Sequence, residues 1–204
     1  MNKLLLLSML TMPALALAQP APAKGAPATP PAKDAAASAK SAAPAVPAPP
    51  PEVKATVDAF KGNWKFDTTM TATGIPGMEK PFAAKMNFNC KAIAGGNAVS
   101  CDAKQKSPMG PFDGTFIVAY DPYSKAVHFF AVTSMFEVHD HVCKWKSELE
   151  LTCNPLKGGS GPAGDEITED LTITWTDKKN VTFKSTSKMT KGGATMVFEG
   201  KGKR

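Results

Sequence analysis

Apolar and polar residues alternate with a period of two through most of the chain after residue 60. In the stretch WKFDTTMT, one face carries Trp64, Phe66, Thr68 and Met70, and the other face carries Lys65, Asp67 and Thr69. This alternation is typical of antiparallel strands that bury one face. Similar segments recur along the chain, separated by Gly, Pro, Asn and Asp turn signals such as Gly95-Gly96.

The pattern predicts an all-β domain, an antiparallel up-and-down β-barrel of about 8–10 strands. A β-sandwich has the same signature, but we prefer the barrel because closure removes exposed strand edges. Only the segment EVKATVDAF, before the first strand, is typical of a helix. We expect this short helix to cap one end of the barrel.

The N-terminal third has a different composition. Residues 1–18 combine Lys3, an apolar run over residues 4–10 and an Ala16-Leu17-Ala18 cleavage signal, which together predict a signal peptide. Residues 19–51 are mostly Pro and Ala and predict a disordered linker. It could be a spacer that reaches a cell-envelope protein, or a tail with no partner. Residues 52–204 then form a single domain, exported to the periplasm or the exterior, with no transmembrane segment in the mature chain.

The formal net charge of +6 partly comes from lysines in the first 51 residues. The domain itself is only weakly basic, and no basic cluster interleaves with aromatic residues. Nucleic-acid binding is therefore not expected.

Four cysteines in an exported chain predict disulfides. Cys90 and Cys101 are equally far from Gly95-Gly96, so a two-residue turn there places them opposite each other and on the same apolar face. The remaining pair is Cys143 and Cys153. They lie opposite each other if the loop is 147–149, and diagonally if it begins at Lys146.

His139, His141 and Cys143 lie at alternate positions in FEVHDHVCKW and share one face of a predicted strand, whereas Asp140 lies on the other face. The two histidines are ligand types for zinc or copper. A third ligand is missing if Cys143 is in a disulfide, so we predict no metal site and keep His139 and His141 as metal candidates only.

The neighbouring pair Glu169/Asp170 is interpreted as outward-facing charge or turn residues. We find no catalytic motif and expect no enzymatic activity and no cofactor.

A barrel of this size either fills with side chains or encloses one small ligand. We expect a small apolar ligand in the interior, with a non-catalytic structural or protein-interaction role in the cell envelope as the alternative. The predicted ligand-binding residues are inward-facing and mostly large: Trp64, Phe66, Met86, Phe88, Phe116, Val118, Leu151, Ile173, Trp175, Phe183, Met196 and Phe198.

Two stretches resemble known families. Gly62-Asn63-Trp64 resembles the G-x-W that opens the first strand of lipocalins and other calycins. The segment from Ser107 to Met135 resembles the centre of DUF1579, a bacterial family of unknown function, at the following positions: Met109, Gly110, Pro111, Phe112, Gly114, Tyr120, Asp121, Lys125 and Ser134. The resemblance covers most of residues 56–203 and implies a calycin-like barrel, but no activity.

A calycin relative, nitrobindin, holds heme through a histidine late in its chain. Here no histidine follows His141, so heme stays a minor alternative.

Overall fold

The computed structural model of the protein describes residues 48–107, 110–134, 137–153, 159–160 and 166–204. These residues belong to one compact unit, Val46–Arg204. The predicted signal peptide, nearly all of the predicted linker, and Met109 of the family motif lie outside the described residues. Within the described ranges, no helix is long and apolar enough to cross a membrane.

One helix precedes a run of antiparallel strands, as the alternation predicts. The elements are α1 Pro51–Phe60, β1 Gly62–Thr73, β2 Phe82–Ile93, β3 Ala98–Ser107, β4 Gly110–Asp121, β5 Ala126–Thr133, β6 Val138–Ser147, β7 Glu150–Cys153, β8 Gly159–Ser160, β9 Glu166–Asp177, β10 Asn180–Met189 and β11 Thr195–Lys203.

The strands close into a ten-stranded antiparallel barrel. Strands β1 to β7 pair in chain order, β7 pairs with β9, β9 with β10, β10 with β11, and β11 returns to β1. The two-residue strand β8 pairs with both β6 and β9. The predicted fold is therefore confirmed, with β8 added to the predicted strands.

The turn between β2 and β3 is longer than predicted but gives the same register. Ile93 pairs with Ala98, so the turn holds four residues rather than two and includes a short 3₁₀ segment, Ala94–Gly96. Positive φ angles at Ala94, Gly95 and Gly96 bend the chain there. Lengthening the turn by one residue on each side preserves which residues face each other.

Both predicted disulfides are present. Cys90 pairs with Cys101 in the register of β2 and β3 and bonds to it. Cys143 likewise faces and bonds Cys153, because an irregularity between Trp145 and Ser147 absorbs one residue of β6. The two bridges tie neighbouring strands at two places on the barrel wall.

Helix α1 covers one end of the barrel. It begins with a proline at its first turn and buries Val53, Val57 and Phe60. The indole Nε1–H of Trp64 donates to the carbonyl of Phe60 at 2.8 Å. The guanidinium of Arg204 lies 4.3 Å from the centre of the Trp64 ring and donates to the last carbonyls of the helix, including that of Ala59 at 2.8 Å. Arg204 thus holds the helix in place over this end of the barrel.

A close contact between β1 and β11 explains why β11 carries a glycine near its C-terminal end. Gly202 faces Phe66 across the strand pair. An ideal Cβ at Gly202 would lie 2.4 Å from Cε1 of Phe66. The ring therefore packs flat on the backbone, and this packing requires that position 202 has no side chain.

We expect Gly202→Ala to destabilise the domain by about 1–3 kcal/mol, because the Phe66 ring must leave its position. Urea unfolding followed by circular dichroism measures the change. Lys201→Ala, on the outward face of the same strand, is the matched control and should change stability by less than about 0.5 kcal/mol. Equal effects of the two substitutions would contradict the packing argument.

Candidate functional site

The barrel encloses a cavity of about 470 Å³. It extends from Ala59 and Phe60 of α1 to Ile75 and Met78 in the connection between β1 and β2. Ten of the twelve predicted ligand-binding residues line it, namely Trp64, Phe66, Met86, Phe88, Phe116, Ile173, Trp175, Phe183, Met196 and Phe198. Most of the wall is therefore apolar.

Aromatic rings form a connected layer along this wall. The ring centres of Phe66 and Phe88 are 5.5 Å apart, those of Phe88 and Phe116 are 5.4 Å apart, and those of Phe116 and Phe129 are 5.3 Å apart. The planes are tilted or edge-on, which is the favourable arrangement for aromatic pairs. The wall is thus a packed layer rather than a set of independent side chains.

Val118 and Leu151 are not among the residues that line the cavity. Both are fully buried and belong to the same core cluster as Val57, Phe60 and Trp175. Helix α1 packs against β3 and β4, where it covers the end of the barrel. The two residues face inward, as predicted, but belong to the packed core and not to the cavity wall.

One part of the cavity wall is polar, and it includes the two histidines. His139 and His141 lie on the inward face of β6, with ring centres 4.6 Å apart. Nε2 of His141 lies 2.6 Å from Oε2 of Glu169 on β9, and Nδ1 of His141 lies 3.3 Å from the carbonyl oxygen of Phe129. The hydroxyl of Ser185 donates to Oε1 of the same glutamate. A glutamate and a histidine are therefore paired inside a barrel whose wall is mostly apolar.

The strand register explains how these residues meet. Cys143 of β6 pairs with Cys153 of β7, and Cys153 pairs with Leu171 of β9. Two residues earlier on β6 and on β9 are His141 and Glu169, which therefore lie in one row across the barrel wall. Both side chains point inward and bridge the space between the two strands.

The interpretation of Glu169 as an outward-facing charge or turn residue is wrong. Only 15% of its side chain is exposed, and it lies on the same face of β9 as Leu171, Ile173 and Trp175. Its position in the alternation ITEDLTITW could have shown this, because it is two residues from Leu171. Asp140 does lie on the outer face, where its carboxylate contacts Nδ1 of His128 at 2.8 Å.

Burial and neighbouring charges shift the pKa values of this group. Burial alone would raise the pKa of Glu169, but hydrogen bonds from His141 and Ser185 outweigh it, and the pKa lies below its usual value. Burial, together with the charge of His141, lowers the pKa of His139. Burial raises the pKa of Glu137, which accepts a hydrogen bond from the hydroxyl of Thr133 at 3.2 Å.

His139, His141 and Glu169 also form a possible set of metal ligands. Each offers one donor atom, and these atoms all lie within 4.8 Å of one another. In the part of the chain that the structure describes, no other group of three or more such side chains is this close. Glu169 supplies the third ligand, which the sequence pattern alone did not provide.

The motif residues of the central segment have mostly structural roles. Residues 110–112 line the cavity. The carboxylate of Asp121 accepts hydrogen bonds from the backbone N–H groups of Tyr123 and Ser124 and fixes the turn before β5. The hydroxyl of Ser134 accepts a hydrogen bond from the backbone N–H of Asp113 at 3.0 Å.

Comparisons with known proteins give a family and a fold. The family model described as "Protein of unknown function (DUF1579)" matches residues 49–204. No curated protein matches the chain significantly. Among solved structures, the S-type phycobiliprotein lyase CPES from Guillardia theta is 8% identical, and the match covers 72% of this chain and 89% of that chain with a TM-score of 0.53. A second structure, EF1p2_mFAP2b bound to DFHBI, is 12% identical and has a TM-score of 0.42, covering 74% and 98% of the two chains. The likeness to the first of these structures shows the barrel fold alone.

The lowered pKa of Glu169 predicts how stability depends on pH. A carboxyl group with a depressed pKa in the folded state stabilises the fold above its unfolded pKa and loses this contribution as the pH falls. We expect the free energy of unfolding to fall less steeply for Glu169→Gln than for the wild type between about pH 5 and pH 3.

Urea unfolding at a series of pH values measures this difference. Asp170→Asn, at the next, exposed position of β9, is the matched control and should follow the wild type. If Glu169→Gln also follows the wild type, the interaction with His141 does not contribute to stability.

Proposed function

We propose that this chain, which belongs to the DUF1579 family of proteins of unknown function, binds a small, mainly apolar molecule inside its barrel. The observation that carries the proposal is the cavity of about 470 Å³ with its aromatic and aliphatic wall. Sites for small molecules are typically cavities of roughly 300–1,000 Å³, mostly apolar with a few polar groups that fix orientation. The role is binding, without a chemical step.

The polar part of the wall suggests which end group the ligand carries. Glu137 and Glu169 both line the cavity, and an ionised carboxylate only accepts hydrogen bonds. A ligand whose polar end donates hydrogen bonds or is positively charged would therefore suit this wall better than one that ends in a carboxylate.

We also infer that the protein works outside the reducing cytosol. Two disulfides join neighbouring strands of the barrel, and such bonds persist in oxidising compartments. The predicted signal peptide leads to the same inference. Export therefore rests on the disulfides together with the sequence of the first eighteen residues.

The binding proposal predicts saturable binding of ten-carbon alkyl probes. Trp64 and Trp175 line the cavity, so occupancy should change the intrinsic fluorescence. We expect decylamine and decan-1-ol to bind more tightly than decanoate. Each methylene added to the chain should tighten binding about threefold to fourfold, since burial of one contributes about 0.8 kcal/mol.

A substitution that fills the cavity tests where the probes bind. Ser187 lines the cavity, and Thr186 is its neighbour on the opposite face of β10. Ser187→Phe should weaken decan-1-ol binding at least tenfold, whereas Thr186→Phe should leave it within twofold. Thermal unfolding of both variants checks that the barrel is intact. Absence of probe binding by the wild type, or equal binding by the two variants, would overturn the proposal.

A second candidate function, protein interaction, is supported by a different surface. Five large apolar residues lie on the outer face of three adjacent strands, β4 to β6, and each is at least 37% exposed: Ile117, Phe130, Val132, Val138 and Val142. Contiguous exposed apolar surface of this kind often marks an interaction site. The simplest partner is a second copy of the chain, whose identical surface could cover it.

Self-association through this surface can be measured by sedimentation velocity. We expect a dimer for the wild type at micromolar concentration and a monomer for the double variant Phe130→Lys/Val132→Lys. The control is Thr69→Lys, at an exposed outward position of β1, which is not one of the three strands that carry this surface. A monomeric wild type would reject this second candidate and leave the cavity proposal untouched.

A further inference from the structure

Three potential metal ligands meet on the cavity wall, two from β6 and one from β9. His139 and His141 are two residues apart on a strand, so their rings project to the same side. Glu169 reaches them from β9, and the three donor atoms lie within 4.8 Å of one another. We propose that His139, His141 and Glu169 bind one divalent first-row transition-metal ion.

Two of the three ligands are already oriented by other groups. Nδ1 of His141 faces the carbonyl oxygen of Phe129 at 3.3 Å, which leaves Nε2 to point at the site. Oε1 of Glu169 accepts the hydroxyl hydrogen of Ser185, and this contact directs Oε2 toward Nε2 of His141. Ligating histidines and carboxylates in metalloproteins usually have such outer partners, which fix the tautomer and the orientation.

The His141–Glu169 pair needs only a small movement to hold a metal ion. Nε2 of His141 and Oε2 of Glu169 are 2.6 Å apart, with a hydrogen between them. Two ligands at about 2.1 Å from a tetrahedral zinc ion are roughly 3.4 Å apart. The ion therefore needs the two atoms to separate by less than about 1 Å while the shared proton leaves. In the metal-bound form the imidazole carries its proton on Nδ1, which faces the Phe129 carbonyl.

The ligand types narrow the choice of ion. Two imidazoles and one carboxylate suit zinc, copper, cobalt, nickel and iron(II), whereas calcium and magnesium prefer oxygen ligands alone. Three protein ligands leave at least one coordination position open, and the three side chains all line the cavity. The open position therefore faces the space in which a small molecule fits.

The third histidine of the chain is a built-in control. The sequence contains only three histidines. His128 lies on the outer face of β5, where it contacts Asp140 and is 38% exposed. Among the described residues, His128 has one carboxylate partner, and no second imidazole lies close to it. Metal binding at the proposed site should therefore involve two of the three histidines.

The experiment uses the oxidised, untagged chain after treatment with EDTA. Zinc is titrated in by calorimetry, and cobalt(II) by visible absorption. We expect one ion per chain for the wild type. His139→Ala and Glu169→Gln should each weaken binding at least 100-fold, and Ser185→Ala should weaken it about 10- to 100-fold, as loss of an outer partner does. His128→Ala should stay within twofold of the wild type.

A second readout does not depend on a substitution. Proton NMR of the imidazole Hε1 signals should show three resonances, of which zinc shifts two and leaves that of His128 unchanged. Binding weaker than millimolar by the wild type would overturn the proposal, as would a folded His139→Ala or Glu169→Gln that keeps wild-type affinity. Equal loss in His128→Ala would also overturn it. Neither readout uses an apolar probe, so this result is independent of the ligand proposal.

Discussion

Closure of ten strands into one barrel is the constraint on which the other features depend. Barrel diameter grows with strand number, and eight strands already give an interior that side chains just fill or that holds one small ligand. Ten strands enclose more space, and even a wall of aromatic rings leaves about 470 Å³ between the side chains. Helix α1 then fills one end, where Phe60 packs edge-on against Trp175 with ring centres 5.3 Å apart. The cavity is what remains beyond this cap.

The polar cluster within the cavity is costly to build, and its bonding shows how the cost is offset. A buried carboxylate without partners is strongly unfavourable. Glu169 avoids this because each of its oxygens has a donor, one from His141 and one from Ser185. An apolar residue at position 169 would avoid the desolvation altogether. Buried ionisable groups with shifted pKa values are concentrated at functional sites, and this cluster lies where a bound molecule would touch it.

Much of the fold follows from the sequence because strand patterns are local. Alternation predicts about 8–10 strands, and equal distance from a turn pairs Cys90 with Cys101. The predicted turn was two residues too short, yet the pairing was right because register depends on symmetry about the turn. The strand β8 was missed because two residues carry no alternation. The inward face of Val118 and Leu151 is predicted correctly. The strand pattern does not show, however, which inward residues line the cavity and which pack in the core.

The cluster itself was only half visible in the sequence for a physical reason. The histidines were found as a local pattern, but their partner lies 28 residues from His141. Glu169 is interpreted as an outward-facing residue because it precedes Asp170, and two adjacent acidic residues are typical of a solvated turn. Its spacing from Leu171 indicates that Glu169 faces inward, since residues two apart on a strand point to the same face. In a barrel strand, a polar residue at an even spacing from inward apolar residues is therefore best predicted to face the interior.

The apolar cavity and the proposed metal site share side chains, which has a thermodynamic consequence. His139, His141 and Glu169 belong to both, so a molecule in the cavity lies against the groups that would hold the ion. If either occupant changes the affinity for the other, the reciprocal change must be of equal size. A molecule with a donor atom at one end would gain a coordinate bond at the open position, and metal and ligand would then bind more tightly together. A positively charged end would have the opposite effect, because the ion would repel it. The sign of this coupling would therefore distinguish a metal-coordinating end group from a positively charged one on a molecule bound in the barrel.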